Sequence, residues 1–106
     1  MVKKAVKLKL EIEQEDGTFK ARTFTQSKVS SRVMYNIMDF YDKAEKNELS
    51  TMEAIDAMID IVVNTFRDPA VTFDSILDGL EAKDLAPTLQ QVLQEINELG
   101  EDSTKK

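Results

Sequence analysis

The chain contains no cysteine and no histidine. Their absence removes the usual zinc ligands, the thiol nucleophile and the imidazole base. It also leaves no disulfide framework from which a redox compartment could be read. Glycine occurs three times and proline twice in 106 residues, so there is little to make a flexible linker from. The glycines stand too far apart to form a phosphate-cradling loop. No apolar run approaches the roughly 20 residues needed to span a bilayer. The opening MVKKAVKLKLEIE is basic but lacks the continuous apolar core of a secretory signal, so a cytoplasmic site is the default expectation. Positive charge is in deficit, 14 Lys and Arg against 20 Asp and Glu, for a formal net charge of -6. That balance disfavours both phosphate-backbone binding and adhesion to anionic membranes. The one basic group, Lys3, Lys4, Lys7 and Lys9, alternates along a strand instead of forming a helix face. Neither a nucleic acid nor a membrane is expected as partner.

Hydrophobic residues at 42% and charged residues at 32% fit a globular chain with one modest core. Val6, Leu8, Leu10 and Ile12 alternate with Lys7, Lys9, Glu11 and Glu13, the period of a strand. Asp16-Gly17 has the composition of a two-residue type I′ turn. Such a turn pairs Glu13 with Lys20 and Glu11 with Arg22 on one face, and Ile12 with Ala21 and Leu10 with Thr23 on the other. A lone hairpin is marginal in water, so its apolar face must rest on helices from the remainder of the chain.

Four such helices are expected. The first runs from about Lys28 to Lys46, capped by Ser27 or Ser30, with Val29, Val33, Ile37, Phe40, Tyr41 and Ala44 as its stripe. Met34 and Met38 widen that stripe on one flank, and Asn47 ends it. The second, about 50–67, opens with a Ser50–Glu53 capping box and stops before Asp68-Pro69. Its apolar arc joins Ile55, Ile59, Val62 and Phe66 to Ala54, Met58 and Ile61, wide enough to be covered on two sides, which makes this helix central.

The stretch TFDSILDGLEAKDL, residues 72–85, places acids around a glycine as a calcium loop would. With Gly79 at the sixth position of an EF-hand loop, the third, ninth and twelfth positions fall on Ile76, Ala82 and Leu85, none with an oxygen-bearing side chain. A helix fits better: Thr72 caps, Phe73, Ile76, Leu77 and Leu80 follow helical spacing, and Gly79 helps end it near 80. Asp84 then caps a last helix over about 85–99, with Pro87 in its first turn and Gly100 as its stop. The predicted fold is α+β: an N-terminal antiparallel β-hairpin over about 5–25, followed by a small bundle of about four α-helices. Residues 1–99 form one domain, and residues 100–106 a mobile tail.

Carboxylates are plentiful, but most lie on the polar faces of amphipathic helices, where solvation is the ordinary role. No catalytic residue, cofactor or metal is expected. Binding remains. Methionine is unbranched and adaptable, usually as core filler and sometimes on surfaces that accept a partner. The candidate partner-binding residues are Met34, Met38, Tyr41, Met52, Met58 and Ile61.

The order of the elements and their wording go further. A KLKLEI strand, a second strand ending in TFT, a helix opening near KVSSRV, and an acidic helix ending in IDIVVNTF precede VTFDSILDGL and LAPTLQQVLQEI. Over roughly residues 5–99, and most closely over 71–96, the chain resembles the tail assembly chaperones of long non-contractile-tailed bacteriophages, in particular the G-like type of Gram-positive hosts. The resemblance implies a non-virion assembly factor acting in the cytoplasm of the infected host. Its implied client is the tape measure protein, which it keeps soluble, with the tail-tube subunits recruited through a longer, frameshifted form. On that expectation the present chain is the short form, and Lys105-Lys106 marks where an A-rich slippery run would lie. Surplus apolar surface on the first two helices leaves self-association open as well. Two other classes of reading stand beside this one: a regulatory adaptor or antitoxin-like protein binding one folded partner, and a carboxylate-based enzyme. A neighbouring very large reading frame would favour the chaperone, and a cleft of convergent acids the enzyme.

Overall fold

The computed structural model describes residues 5–104; Lys3, Lys4, Lys105 and Lys106, which enter the basic-group and slippery-run expectations, lie outside them. Two strands, β1 (Val6–Glu13) and β2 (Phe19–Gln26), form an antiparallel hairpin. Four helices come after it: α1 (Ser31–Glu45), α2 (Thr51–Phe66), α3 (Phe73–Gly79) and α4 (Leu85–Thr104), with a short 3-10 turn (Ala82–Asp84) leading into the last. This is the expected α+β arrangement. The molecule is a slab of 47 × 40 × 21 Å, about two packed layers thick.

The hairpin register departs from expectation by one residue. Leu8 faces Phe24, Leu10 faces Arg22, Ile12 faces Lys20 and Glu13 faces Phe19. The turn explains the slip. Asp16 does not take positive φ; only Gly17 does, at 88°. Gly17 N–H donates to the Gln14 carbonyl at 3.0 Å and Gln14 N–H to the Thr18 carbonyl at 2.7 Å. That is a three-residue loop, a type I turn closed by a left-handed glycine. The Asp16 carboxylate accepts from the Thr18 hydroxyl at 2.6 Å and from the Thr18 N–H at 3.0 Å, which secures this turn. Those bonds, the hydroxyl first, hold the Asp16 carboxyl below its ordinary range. A depressed folded-state value means that this exposed turn gains its small stabilisation above the ordinary carboxylate range and loses it as pH falls through the folded value. The expected Glu13–Lys20 and Glu11–Arg22 pairs are therefore not made. Arg22 turns to the core-facing side, where its guanidinium lies 4.6 Å from the Phe24 ring centroid and 3.6 Å from Asp68.

Val6, Leu8, Leu10 and Phe24 bury the hairpin's inner face, while Ala21 and Thr23 stay exposed on the other. The buried side chains of β1 join Val33, Ile37 and Phe40 of α1, Ile59, Val62 and Phe66 of α2, Ile76 of α3, and Leu89, Val92, Leu93 and Ile96 of α4 in one core. α2 packs against α1, α3, α4 and β2, the central position its wide apolar arc implies. Its one buried polar residue, Thr65, is satisfied by donating to the Ile61 carbonyl at 2.7 Å.

The helix ends obey local chemistry. Ser30 precedes α1, so the helix starts three residues later than expected, with Lys28 and Val29 outside it. Its C-terminus closes through Asn47 at φ 57°, with Asn47 N–H donating to the Ala44 carbonyl and Glu48 N–H to the Lys43 carbonyl, a Schellman pattern. The Ser50–Glu53 capping box is formed in both directions, at 2.9 and 3.1 Å. Thr72 and Ser75 make the same reciprocal exchange at the start of α3. α2 ends in Arg67, a non-glycine held at φ 52°. Arg67→Gly, by relieving that left-handed strain, is expected to stabilise the fold by about 0.5–1 kcal/mol, seen as a higher urea midpoint with unchanged m-value.

Two expectations at glycines are corrected. Gly100 does not stop α4, which continues to Thr104, so residues 100–104 are helical. Gly79 ends α3 without any positive φ. A Cβ placed on it would lie 3.0 Å from the Glu11 carbonyl oxygen, 3.2 Å from Leu10 Cβ and 3.3 Å from Glu11 N. The glycine is there to let α3 touch the backbone of β1. Asp84 occupies the last position of the 3-10 turn, its N–H donating to the Glu81 carbonyl at 2.9 Å.

Candidate functional site

The stretch with the spacing of acids around a glycine folds as α3 and the turn after it, with Asp74 in the first helical turn and Asp78 exposed one helical turn later. No three acidic side chains among the described residues come close enough to hold a metal ion. No side-chain nitrogen or oxygen among them is both buried and unbonded. Two shallow grooves lie among the described residues, one along Pro87, Gln90, Gln91, Gln94, Glu95 and Glu98 of α4 and one under the hairpin tip beside Ile12 and Lys20. The residues lining both are exposed except Ile12 and Glu95, which are half-buried.

What the surface does hold is exposed apolar side chains. On α1, Tyr35 is 65%, Met38 61% and Tyr41 47% exposed, and Met52, in the first turn of α2, is 69% exposed. Met34 is half-buried against the core edge. Met34, Met38 and Tyr41 keep i, i+4, i+7 spacing, and Tyr35 stands three residues before Met38, so the four share one flank of α1. The Tyr41 ring is tilted against Phe40, with centroids 5.4 Å apart, which ties the exposed flank to the buried one. α1 and α2 pack on each other through a five-residue connection over 46–50. Met52 therefore lies on the helical hairpin that carries the α1 flank.

Of the six side chains that the sequence nominates, Met38, Tyr41 and Met52 are open to solvent and Met34 partly so. Met58 and Ile61, at 6% and 3% exposure, lie in the core and drop out as accessible contacts. They belong to the side of α2 that packs inward. Tyr35 escapes the sequence pattern, because it stands a helical step outside the apolar stripe, between Met34 and Asn36. Phe73 and Leu77, four apart on α3, are also exposed at 41% and 42%. Helical spacing groups them with Ile76 and Leu80, but this seven-residue helix leans on β1 and α2 with its Ile76 and Gly79 side and leaves the other side to solvent.

Acidic residues surround the α1–α2 flank. Asp39 and Asp42 on α1 pair with Lys43 and Lys46 at 3.1 Å, four residues on in each case. Glu53, Asp56 and Asp60 line the exposed face of α2. Such exposed pairs contribute little stability; their effect is to set a wet, mainly negative border around greasy side chains.

Residues 3–106 match a family model described as phage tail chaperone protein. The match takes in nearly the whole chain, and the chain belongs to that family, a non-catalytic kind of protein that works inside the infected host cell. No curated protein and no solved structure matches it. No helix among the described residues is long and apolar enough to cross a membrane.

Proposed function

We propose that this phage tail chaperone, of the G-like type, binds the tape measure protein, keeps it soluble before the tail tube encloses it, and acts without catalysis. The carrying observation is the group of exposed Tyr35, Met38, Tyr41 and Met52 on one helical hairpin of a strongly acidic protein. A long helical client with apolar stripes aggregates unless those stripes are covered. Flexible methionines and flat tyrosine rings cover such stripes without demanding one fixed shape. The surrounding carboxylates then keep the complex dispersed. Recruitment of tube subunits belongs to a longer, frameshifted product in this reading, and the protein remains in the host cytoplasm when the virion leaves.

Co-expression is the direct test. The soluble fraction of the tape measure protein should rise several-fold when this chain is present, and the two should co-purify. An unchanged soluble fraction with no co-purification would rule the reading out.

A further inference from the structure

Unspent positive charge collects on the hairpin of this acidic chain. Lys43, Lys46 and Lys83, in the helical part, each reach a carboxylate, whereas Lys7, Lys9, Lys20 and Lys28 are in no ion pair among the described residues. Lys20 and Arg22 are exposed and stand two apart on β2, on the face that carries Phe24. Arg22 has Asp68 at 3.6 Å, and Lys20 has no such partner. Glu11 and Glu13 stand on β1 opposite Ala21 and Phe19, so they belong to the other face, while Glu15 lies in the turn.

The backbone beside these cations is open. Lys7 N–H is turned away from β2 and donates to Glu95 Oε1 of α4 at 2.9 Å, whereas Gln14 N–H bonds across the hairpin to Thr18. The two bonds set the parity of the ladder: even-numbered residues bond across it, and odd-numbered ones direct N–H and C=O outward. On β1 the outward groups are met by α4 at Lys7 and by Gly79 of α3 at Glu11. On β2 they belong to Phe19, Ala21, Thr23 and Thr25, all exposed, and among the described residues none of these groups bonds to another element.

We propose that this edge takes up an extended acidic segment of another protein as a third strand, antiparallel to β2, with carboxylates opposite Lys20 and Arg22. Each outward-directed residue of β2 then exchanges two hydrogen bonds with the residue facing it. Parity dictates the pattern of the incoming strand. Its residues facing Ala21 and Thr23 lie on the outer face, where β-branched side chains suit. Those facing Lys20 and Arg22 lie on the inner face and are acids, and the one facing Phe24 is apolar. Backbone bonds supply the affinity and alternate side chains the selection. Cations on an edge strand ordinarily keep other strands off. Here they choose among strands, because opposite charges directly across a ladder are favourable and like charges are not. The site lies on the hairpin and does not rest on the reading of the α1–α2 flank.

The probe is the end-capped peptide Thr-Ile-Thr-Glu-Val-Glu-Thr, titrated into the intact nitrogen-labelled chain and followed by magnetic resonance. In the antiparallel register its valine faces Ala21 and its glutamates face Arg22 and Lys20. Binding should move the amide signals of Ala21, Thr23 and Thr25 and slow their exchange with water. N-methylation of the valine removes a bond to β2 and should weaken binding at least tenfold. N-methylation of either glutamate, whose N–H points away, should leave it unchanged. Lys20→Glu should weaken the original peptide about tenfold and admit Thr-Ile-Thr-Glu-Val-Lys-Thr in its place. Lys20 is exposed and unpaired, so the variant keeps its fold, and the charge exchange itself reports that it has. Still amides at Ala21, Thr23 and Thr25 would overturn the proposal. So would an equal response to the N-methylvaline peptide or to a single-stranded oligonucleotide, either of which would make the cations a general anion surface.

Discussion

Gly79→Val should destabilise the fold by about 3 kcal/mol, the upper part of the range for forcing extra carbons into a well-packed site. For a domain of this size that is a fall in melting temperature of roughly 10–20 °C. The obstacle is backbone: the Glu11 carbonyl and amide stand 3.0 and 3.3 Å from where the first added carbon must go, and neither swings aside as a side-chain tip would. Leu10 Cβ, at 3.2 Å, belongs to a core residue that is fully enclosed. A second substitution separates this account from the one the sequence suggests. If Gly79 served as a left-handed helix stop, Gly79→Asn would be tolerated, since asparagine takes that conformation readily. Close approach predicts that Asn destabilises as well, and that Ala falls between native and Val. Urea denaturation of the three variants checks the order. A Val variant as stable as the native protein would mean that α3 does not rest on β1 in this way.

Gly79 also marks where sequence reading stops. The residue type signals an unusual backbone need, but a helix end and a close crossing both use glycine, and only the position of β1 tells them apart. The Asp16-Gly17 turn is the same kind of case. Both residues suit a two-residue turn, yet Thr18 supplies two donors to Asp16 and draws the loop out to three residues. One residue of slip then moves Arg22 from the wet side to the core side. By contrast, the Ser50–Glu53 box, the placement of Ile59 and Val62 on the buried side of α2, and the Thr72 cap are legible, because each depends on neighbours within one or two helical turns. Gly100 misleads for a third reason. A glycine near the end of a helical pattern weakens the helix without forbidding it, and α4 carries on past it.

The candidate surface divides along the same line. Met38 and Met52 stand at the margin of the apolar stripes or beyond them, where periodicity leaves them with nothing to pack on, whereas Tyr41 belongs to the expected stripe of α1 and is exposed all the same because no other element reaches that end of it. Met58 and Ile61 stand on the second stripe of α2, and whether a second stripe is covered depends on which helices come to rest there. The neighbours of α2 cover it. A set of residues drawn from helical spacing alone therefore mixes surface with core.

That mixture supports a sharp experiment on client binding. Met38→Asp combined with Met52→Asp should leave the melting temperature within a few degrees of native, because both side chains lie mostly in solvent and surface substitutions usually change stability by about 0.5 kcal/mol or less. The same pair should weaken capture of the tape measure protein about a hundredfold, close to 2.7 kcal/mol, since each places a hydrated charge where an apolar stripe must dock. Met58→Asp should do the reverse: it buries an unpaired carboxylate on the core side of α2, beside Ile59, Ile61 and Val62, and should unfold the chain outright, at a cost above about 4 kcal/mol. Titration of labelled client fragments against the double variant, alongside thermal melts, reads both effects. Client affinity unaltered in a folded double variant would move the docking surface elsewhere, and the exposed Phe73–Leu77 face of α3 would be the next to substitute. Affinity lost together with the fold would mean that the two methionines hold the helical hairpin closed, and an exposed side chain could not do that.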